Sequence, residues 1–182
     1  MESAHQPTQA LRLTLAGLIT AAGAYALMQT FLIPALPDLQ RELGTSTTWV
    51  TWTVTAYLLS GAVSTPIVGR LGDLFGKKRL MMITLGVFLL GPVGAIFAPN
   101  VGVLIAFRVV QGVGGASFPL SFGIIRDEFP EDRRAVAMGV VSAILGVGGG
   151  VVIALSGVIV DHLSWRWLFV VSAILVAAAI AM

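Results

Sequence analysis

Gly69-Arg-Leu-Gly-Asp73-Leu-Phe-Gly76-Lys-Lys78-Arg-Leu80 follows a long uncharged stretch, and its spacing returns 88 residues later as Gly157-Val-Ile-Val-Asp161-His-Leu-Ser164-Trp-Arg166-Trp-Leu168. Each copy has Gly, Asp four residues on, Gly or Ser three further, then a base and a Leu at intervals of two. Three apolar runs separate the copies. In a membrane the two therefore face opposite sides, which predicts two three-helix units of inverted topology, an arrangement found in transporters.

The apolar runs lie at about 13–35, 48–69, 80–98, 101–125, 136–160 and 167–182. A helix needs about 20 apolar residues to cross about 30 Å of hydrocarbon. Only helices satisfy the backbone of such segments internally. The expected fold is an all-α membrane protein, a bundle of six transmembrane helices. Composition agrees: 57% of the 182 residues are apolar and only 11% are charged, against about 25% charged in a soluble domain. That excludes a soluble enzyme domain and a disordered chain. The first run is too long for the core of a cleaved signal peptide, and one Arg precedes it.

Placement of charge sets the orientation. Arg12, Arg70, Lys77, Lys78, Arg79, Arg126, Arg133 and Arg134 fall on one side of the six-span arrangement, and only Arg41 and Arg166 on the other. Eight bases against two puts both ends of the chain on the cytoplasmic side of a plasma (inner) membrane. Trp49, Trp52, Trp165 and Trp167 then all fall at the outer interface, where Trp anchors. The net charge of +2 rests on few residues and predicts no nucleic-acid partner. The absence of Cys excludes disulfides and thiolate metal sites.

Four constellations stand out. In the 69–79 segment, Asp73 at a span end can meet a helix N-terminus or a neighbouring base, or can simply cap a positive-inside turn; Gly69 and Gly76 favour close approach and a tight turn. In the fourth run, Arg108, Gln111, Gly112 and Gly115 share one helical face. A charged group in lipid is costly, so Arg108 faces the bundle interior or a wet cavity. It serves there either as an anion, substrate or proton-relay contact or as a structural Arg bonded to carbonyls. The runs contain no Asp or Glu to pair with it. In the fifth run, Gly139, Gly146, Gly150 and Gly157 belong to a stripe of small residues that allows close helix packing. Gln29 is the strong polar residue of the first run, suited to an interhelical bond or a cavity wall. There is no nucleophile–base pair, nucleotide loop or metal constellation, so neither enzyme activity nor a cofactor is expected.

Gly69-x-Leu71-Gly-Asp73-x-x-Gly76-Lys-Lys-Arg79 resembles motif A of the major facilitator superfamily, and Leu104-x-x-x-Arg108-x-x-Gln111-Gly112-x-Gly114 resembles its motif B. Ala35-Leu36-Pro37 and Asp161-His-Leu-Ser-Trp165-Arg166-Trp167-Leu-Phe169 resemble the fourteen-helix drug:proton antiporter branch. The resemblance covers essentially the whole chain. It implies an exporter exchanging protons for small hydrophobic, often cationic compounds. It also implies an inner-face latch at Asp73, with Lys77, Lys78 and Arg79 in the motif and Arg134 nearby. Arg108 is implied in proton coupling, and Gln29, Arg108 and Gln111 in bordering the central cavity. Asp161 and Arg166 mark the outer copy of the repeat. The chain departs from the branch at Met28, where an Asp is usual, and at Val152-Ile153, where the branch has Gly-Pro.

The resemblance further implies that the substrate cavity lies between two six-helix domains. This chain then supplies the N-terminal one, with a second half as its partner and Arg108 on the face that half would cover. By itself it is expected not to transport. The alternatives are a non-transporting truncated or split-transporter membrane subunit that needs a partner half, or a facilitator of a different small solute.

Overall fold

The computed structural model describes the backbone of residues 6–182 and the side chains at 11–144, 153, 156–160 and 162–182. Its helices are α1 (Gln6–Thr30), α2 (Leu36–Glu42), α3 (Thr47–Phe75), α4 (Lys77–Ile96), α5 (Val101–Gly112), α6 (Ser117–Glu128), α7 (Glu131–His162) and α8 (Arg166–Ala181). A 3-10 turn over Val113–Ala116 joins α5 to α6, making one continuous fourth span. The stretches Leu11–Thr30, Lys77–Ile96 and Val101–Glu128 are long and apolar enough to cross a membrane, and Arg166–Ala181 is a shorter apolar helix.

Local chemistry sets the breaks. Pro34 has no N–H for the carbonyl of Thr30, so α1 stops there and Ile33 N bonds Thr30 O at 3.1 Å instead. The first run is thus a helix, a turn and the short α2, not one helix to residue 35. Ser46 caps α3 by accepting from Trp49 N at 3.4 Å, and Asn100 caps α5 by accepting from Val103 N at 3.0 Å. Pro119 deprives the Gly115 carbonyl of its partner, and the fourth span tightens into its 3-10 turn just before.

The second span is longer than its apolar run. Residues 69–75, expected as a loop, are the last turns of α3, and Asp73 rides on that helix. The reversal into α4 is made by Gly76 alone, at φ +96°, a conformation that costs glycine little.

Packing displays the inverted repeat. The second span packs on the fourth, and the fifth on the first; the third packs on the fourth, and the sixth on the first; the third and sixth pack on each other. Exchanging spans 1–3 for spans 4–6 maps every one of these pairings onto another. The molecule is a six-helix bundle of two inverted three-helix repeats. Its core is continuous, with Phe88, Leu104, Leu120, Ile125, Phe169 and Val176 among the buried side chains.

Candidate transport site

Arg108 sits at the centre of the bundle with no exposed surface. Its Nε donates to Thr53 O at 2.9 Å, Nη1 to Gln111 Oε1 at 2.6 Å and Nη2 to Met28 O at 3.2 Å. The guanidinium carbon lies 4.1 Å from the centroid of the Tyr57 ring, a favourable cation–π arrangement. Gln111 passes the connection on, its Nε2 reaching Ser172 Oγ at 3.5 Å. One guanidinium thus ties the first, second and fourth spans directly, and the sixth through Gln111. The expectation that Arg108 lies on a face left for the second half is corrected: this domain seals it by itself. Backbone carbonyls, an amide and a ring surround the buried charge in place of a carboxylate.

The aromatic support was not legible beforehand. Tyr57 donates its hydroxyl to Tyr25 O at 2.8 Å, and the two rings stack at 5.2 Å. Tyr25 also meets Phe118 edge-on at 5.9 Å. A signal was available: the chain has two tyrosines, and both stand here.

Close helix approach occurs around this cluster. A Cβ on Gly91 would lie 2.5 Å from Gln111 Cβ and 2.7 Å from its Cα, and one on Gly114 would meet the Phe88 ring at 2.7 Å. At Gly139 and Gly157 nothing lies within 4 Å, so these two do not pack a neighbouring helix closely as the small-residue stripe predicts. The fifth span also meets the first at Ile144, whose Cγ2 lies 3.7 Å from a Cβ built on Gly23. Gly146, Gly150 and Asp161 lie outside the described residues.

At the end of the bundle where α3 turns into α4, Lys77 bridges Asp127 at 2.7 Å and Asp73 at 3.6 Å, and Lys78 pairs with Glu128 at 2.7 Å. Gly69, Asp73, Lys77, Gly123 and Arg126 line a pocket of about 410 Å³ there. Arg79 extends from the exposed start of α4. Arg134 does not meet Asp73: its Nε donates to Phe129 O at 2.9 Å and its Nη1 lies 3.6 Å from Glu131. The acids at the end of α6, Asp127 and Glu128, are the partners that the spacing of motif A leaves unnamed.

At the opposite end, Trp49, Trp52 and Trp167 are exposed, but Trp165 retains only 1% of its surface and is no interface anchor. Its Nε1 donates to Glu42 Oε2 at 2.7 Å, and Arg166 pairs with the same carboxylate. Arg166 holds the Glu42 carboxyl below its ordinary pKa, with the Trp165 donor assisting. Gln29 is partly exposed on α1. A groove of about 550 Å³ between α3 and α5, lined by Trp52, Leu59, Val63, Ile67, Ile105 and Val109 among others, contains no charged side chain.

The Major Facilitator Superfamily profile matches residues 18–182. The chain belongs to this superfamily. Its members are transporters, not enzymes, and this chain is accordingly a membrane protein. It is 40% identical over 145 residues to an MFS-type transporter of Aspergillus terreus, covering 79% of this chain and 26% of that one. It is 31% identical over 157 residues to multidrug resistance protein 3 of Bacillus subtilis, covering 86% and 30%. It is 33% identical over 163 residues to the efflux pump dotC of Dothistroma septosporum, covering 89% and 28%. The chain therefore spans about a quarter of the length of such superfamily relatives. The crystal structure of the human organic anion transporter MFSD10 superposes with a TM-score of 0.70 at 16% identity, covering 93% of this chain and 46% of that one. That likeness shows the superfamily fold.

Proposed function

We propose that this six-helix unit is the N-terminal half of a secondary transporter that exports small hydrophobic compounds across the plasma membrane in exchange for protons. The observation that carries the reading is the superfamily match across all six spans, in a chain that covers less than half of a related transporter. Relatives named for multidrug resistance and efflux support the export direction. The charge-free groove between α3 and α5 suits apolar substrates held by many weak contacts.

In this reading Gln29 borders the cavity between the halves. Arg108 and Gln111 act from inside the domain, holding the four spans in register and placing a fixed positive charge beside the path of the coupling proton. Asp73, Lys77, Lys78 and Arg79 form the inner latch with Asp127 and Glu128. Arg134 supports it by fixing the turn into α7. A second six-helix half, in the same polypeptide or another chain, completes the cavity.

The test is growth of an efflux-deficient bacterium on ethidium and uncharged lipophilic inhibitors. It expresses either the 182-residue chain or a polypeptide in which a second six-helix half follows it. The extended protein should confer resistance that disappears when nigericin collapses the pH gradient, and Arg108→Ala should abolish it. The short chain should confer none. Resistance from the short chain alone, or export indifferent to the gradient, would overturn the reading.

A further inference from the structure

The internal repeat aligns Lys78 with Arg166, and the structure gives each base an acid from a corresponding helix end. Lys78 Nζ lies 2.7 Å from Glu128, the last residue of the fourth span. Arg166 pairs with Glu42, the last residue of the short helix that continues the first span. First and fourth spans exchange under the repeat. The two ion pairs are therefore counterparts on opposite faces of the membrane, although 50 residues separate the members of one pair and 124 those of the other.

They are not built alike. Lys78 offers a point charge on a flexible stem with a side chain 62% exposed. Such a pair contributes little and is screened by salt; the Arg166–Glu42 pair is itself 35% and 46% exposed, so what sets it apart is its second donor and its stacking. Glu42 instead takes two donors from adjacent residues, one of them the indole N–H of buried Trp165. The Arg166 guanidinium carbon lies 4.3 Å over the Trp165 ring, and that ring meets Phe169 edge-on at 5.9 Å. A planar guanidinium stacked on an aromatic loses more than charge when it is replaced by Lys.

We propose that Glu42, Trp165 and Arg166 form an outer clasp that fixes the first and sixth spans together as the rigid end of the domain, while the inner counterpart is built to make and break. The short helix α2 is the lever arm. It carries Glu42 from the end of the first span across to the start of the sixth and also packs against the second. A bundle fastened at one end yields at the other, so the inner ends of the third and fourth spans carry the local movement.

Amide hydrogen exchange read by mass spectrometry on the purified 182-residue chain tests this. In the wild type, residues 38–43 and 164–168 should exchange at least about tenfold more slowly than 77–80 and 126–129, since exchange reports local opening. Glu42→Gln should raise exchange about tenfold in both outer segments and leave the inner ones unchanged. Lys78→Gln should change neither end. Arg166→Lys and Trp165→Phe, which keep the charge and the ring respectively, should give smaller rises confined to the outer segments. Outer segments that exchange as fast as inner ones in the wild type would overturn the proposal. So would outer variants that raise exchange equally over all six spans, or leave it unchanged.

Discussion

Arg108 donates to the carbonyl oxygen of Met28, 80 positions earlier in the chain, at 3.2 Å. The residue that departs from the antiporter pattern thus still receives the guanidinium, through its backbone rather than a side-chain acid. Any residue at position 28 offers that carbonyl, so the Arg108 node survives a change of side chain there.

Removing the guanidinium should be costly. Arg108→Ala deletes three hydrogen bonds and a cation–π contact from a sealed interior. At the reduced values found between membrane helices this is about 3 kcal/mol. Arg108→Lys, unable to reach all three acceptors, should lose more than half of that. Unfolding of the purified chain by SDS titration measures both, and an unchanged midpoint for Arg108→Ala would contradict the assignment.

Gly91 at the centre and Gly139 on the fifth span should respond oppositely to alanine. At Gly91 the added methyl collides with Gln111 backbone and Cβ atoms, an overpacking that costs about 1–3 kcal/mol. At Gly139 it enters open space within a helix, where Ala gains about 0.5–1 kcal/mol over Gly. The same titration gives the order; equal destabilisation at both sites would show the packing assignment to be mistaken.

Acid should loosen the end of the bundle that carries Glu42. The folded-state pKa of Glu42 is lowered, chiefly by Arg166. Its contribution is full above the ordinary carboxylate range and fades as pH falls through the lowered value. Neighbouring charges are Asp38 and Arg41 on α2 and Arg166 at the start of α8. Melting temperatures of wild type and Glu42→Gln between pH 7 and pH 3 should differ most at neutral pH and converge in acid. Parallel curves would remove Glu42 from the account.

Gly76 should resist substitution. At φ +96° a side chain strains the backbone by about 1–2 kcal/mol, although a Cβ there would touch nothing. Gly76→Ala should therefore destabilise while Gly86→Ala, helical and equally open, should not. Thermal melts of the two variants decide it.

Much of the architecture was readable from residue spacing. The copies at Gly69 and Gly157 implied the inversion that the helix pairings display, and the spacing of Arg108 and Gln111 put them on one helical face without naming the bond between them. Other features needed neighbours that spacing does not name. A helical face bearing Arg108 can turn toward a cavity or into its own bundle, and only Tyr57, Thr53 and Met28 decide which. Small residues at Gly139 and Gly157 permit close approach, but spacing does not say which part of the stripe a neighbouring helix meets, and at these two positions none lies within 4 Å. Trp165 and Trp167 belong to one short motif, yet each residue turns about 100° around a helix, so one is buried and the other exposed. Glu42 sits so far from Trp165 in the chain that no local pattern joins them.

The reversal at Gly76 has a mechanical meaning. One residue between the last turn of α3 and the first of α4 leaves no slack. Sliding α3 lengthwise by a single turn would demand about 5.4 Å of chain, more than that linker holds. The second and third spans are thus coupled axially where they join at Gly76. They can tilt or rotate together against the fourth, but neither can piston past the other.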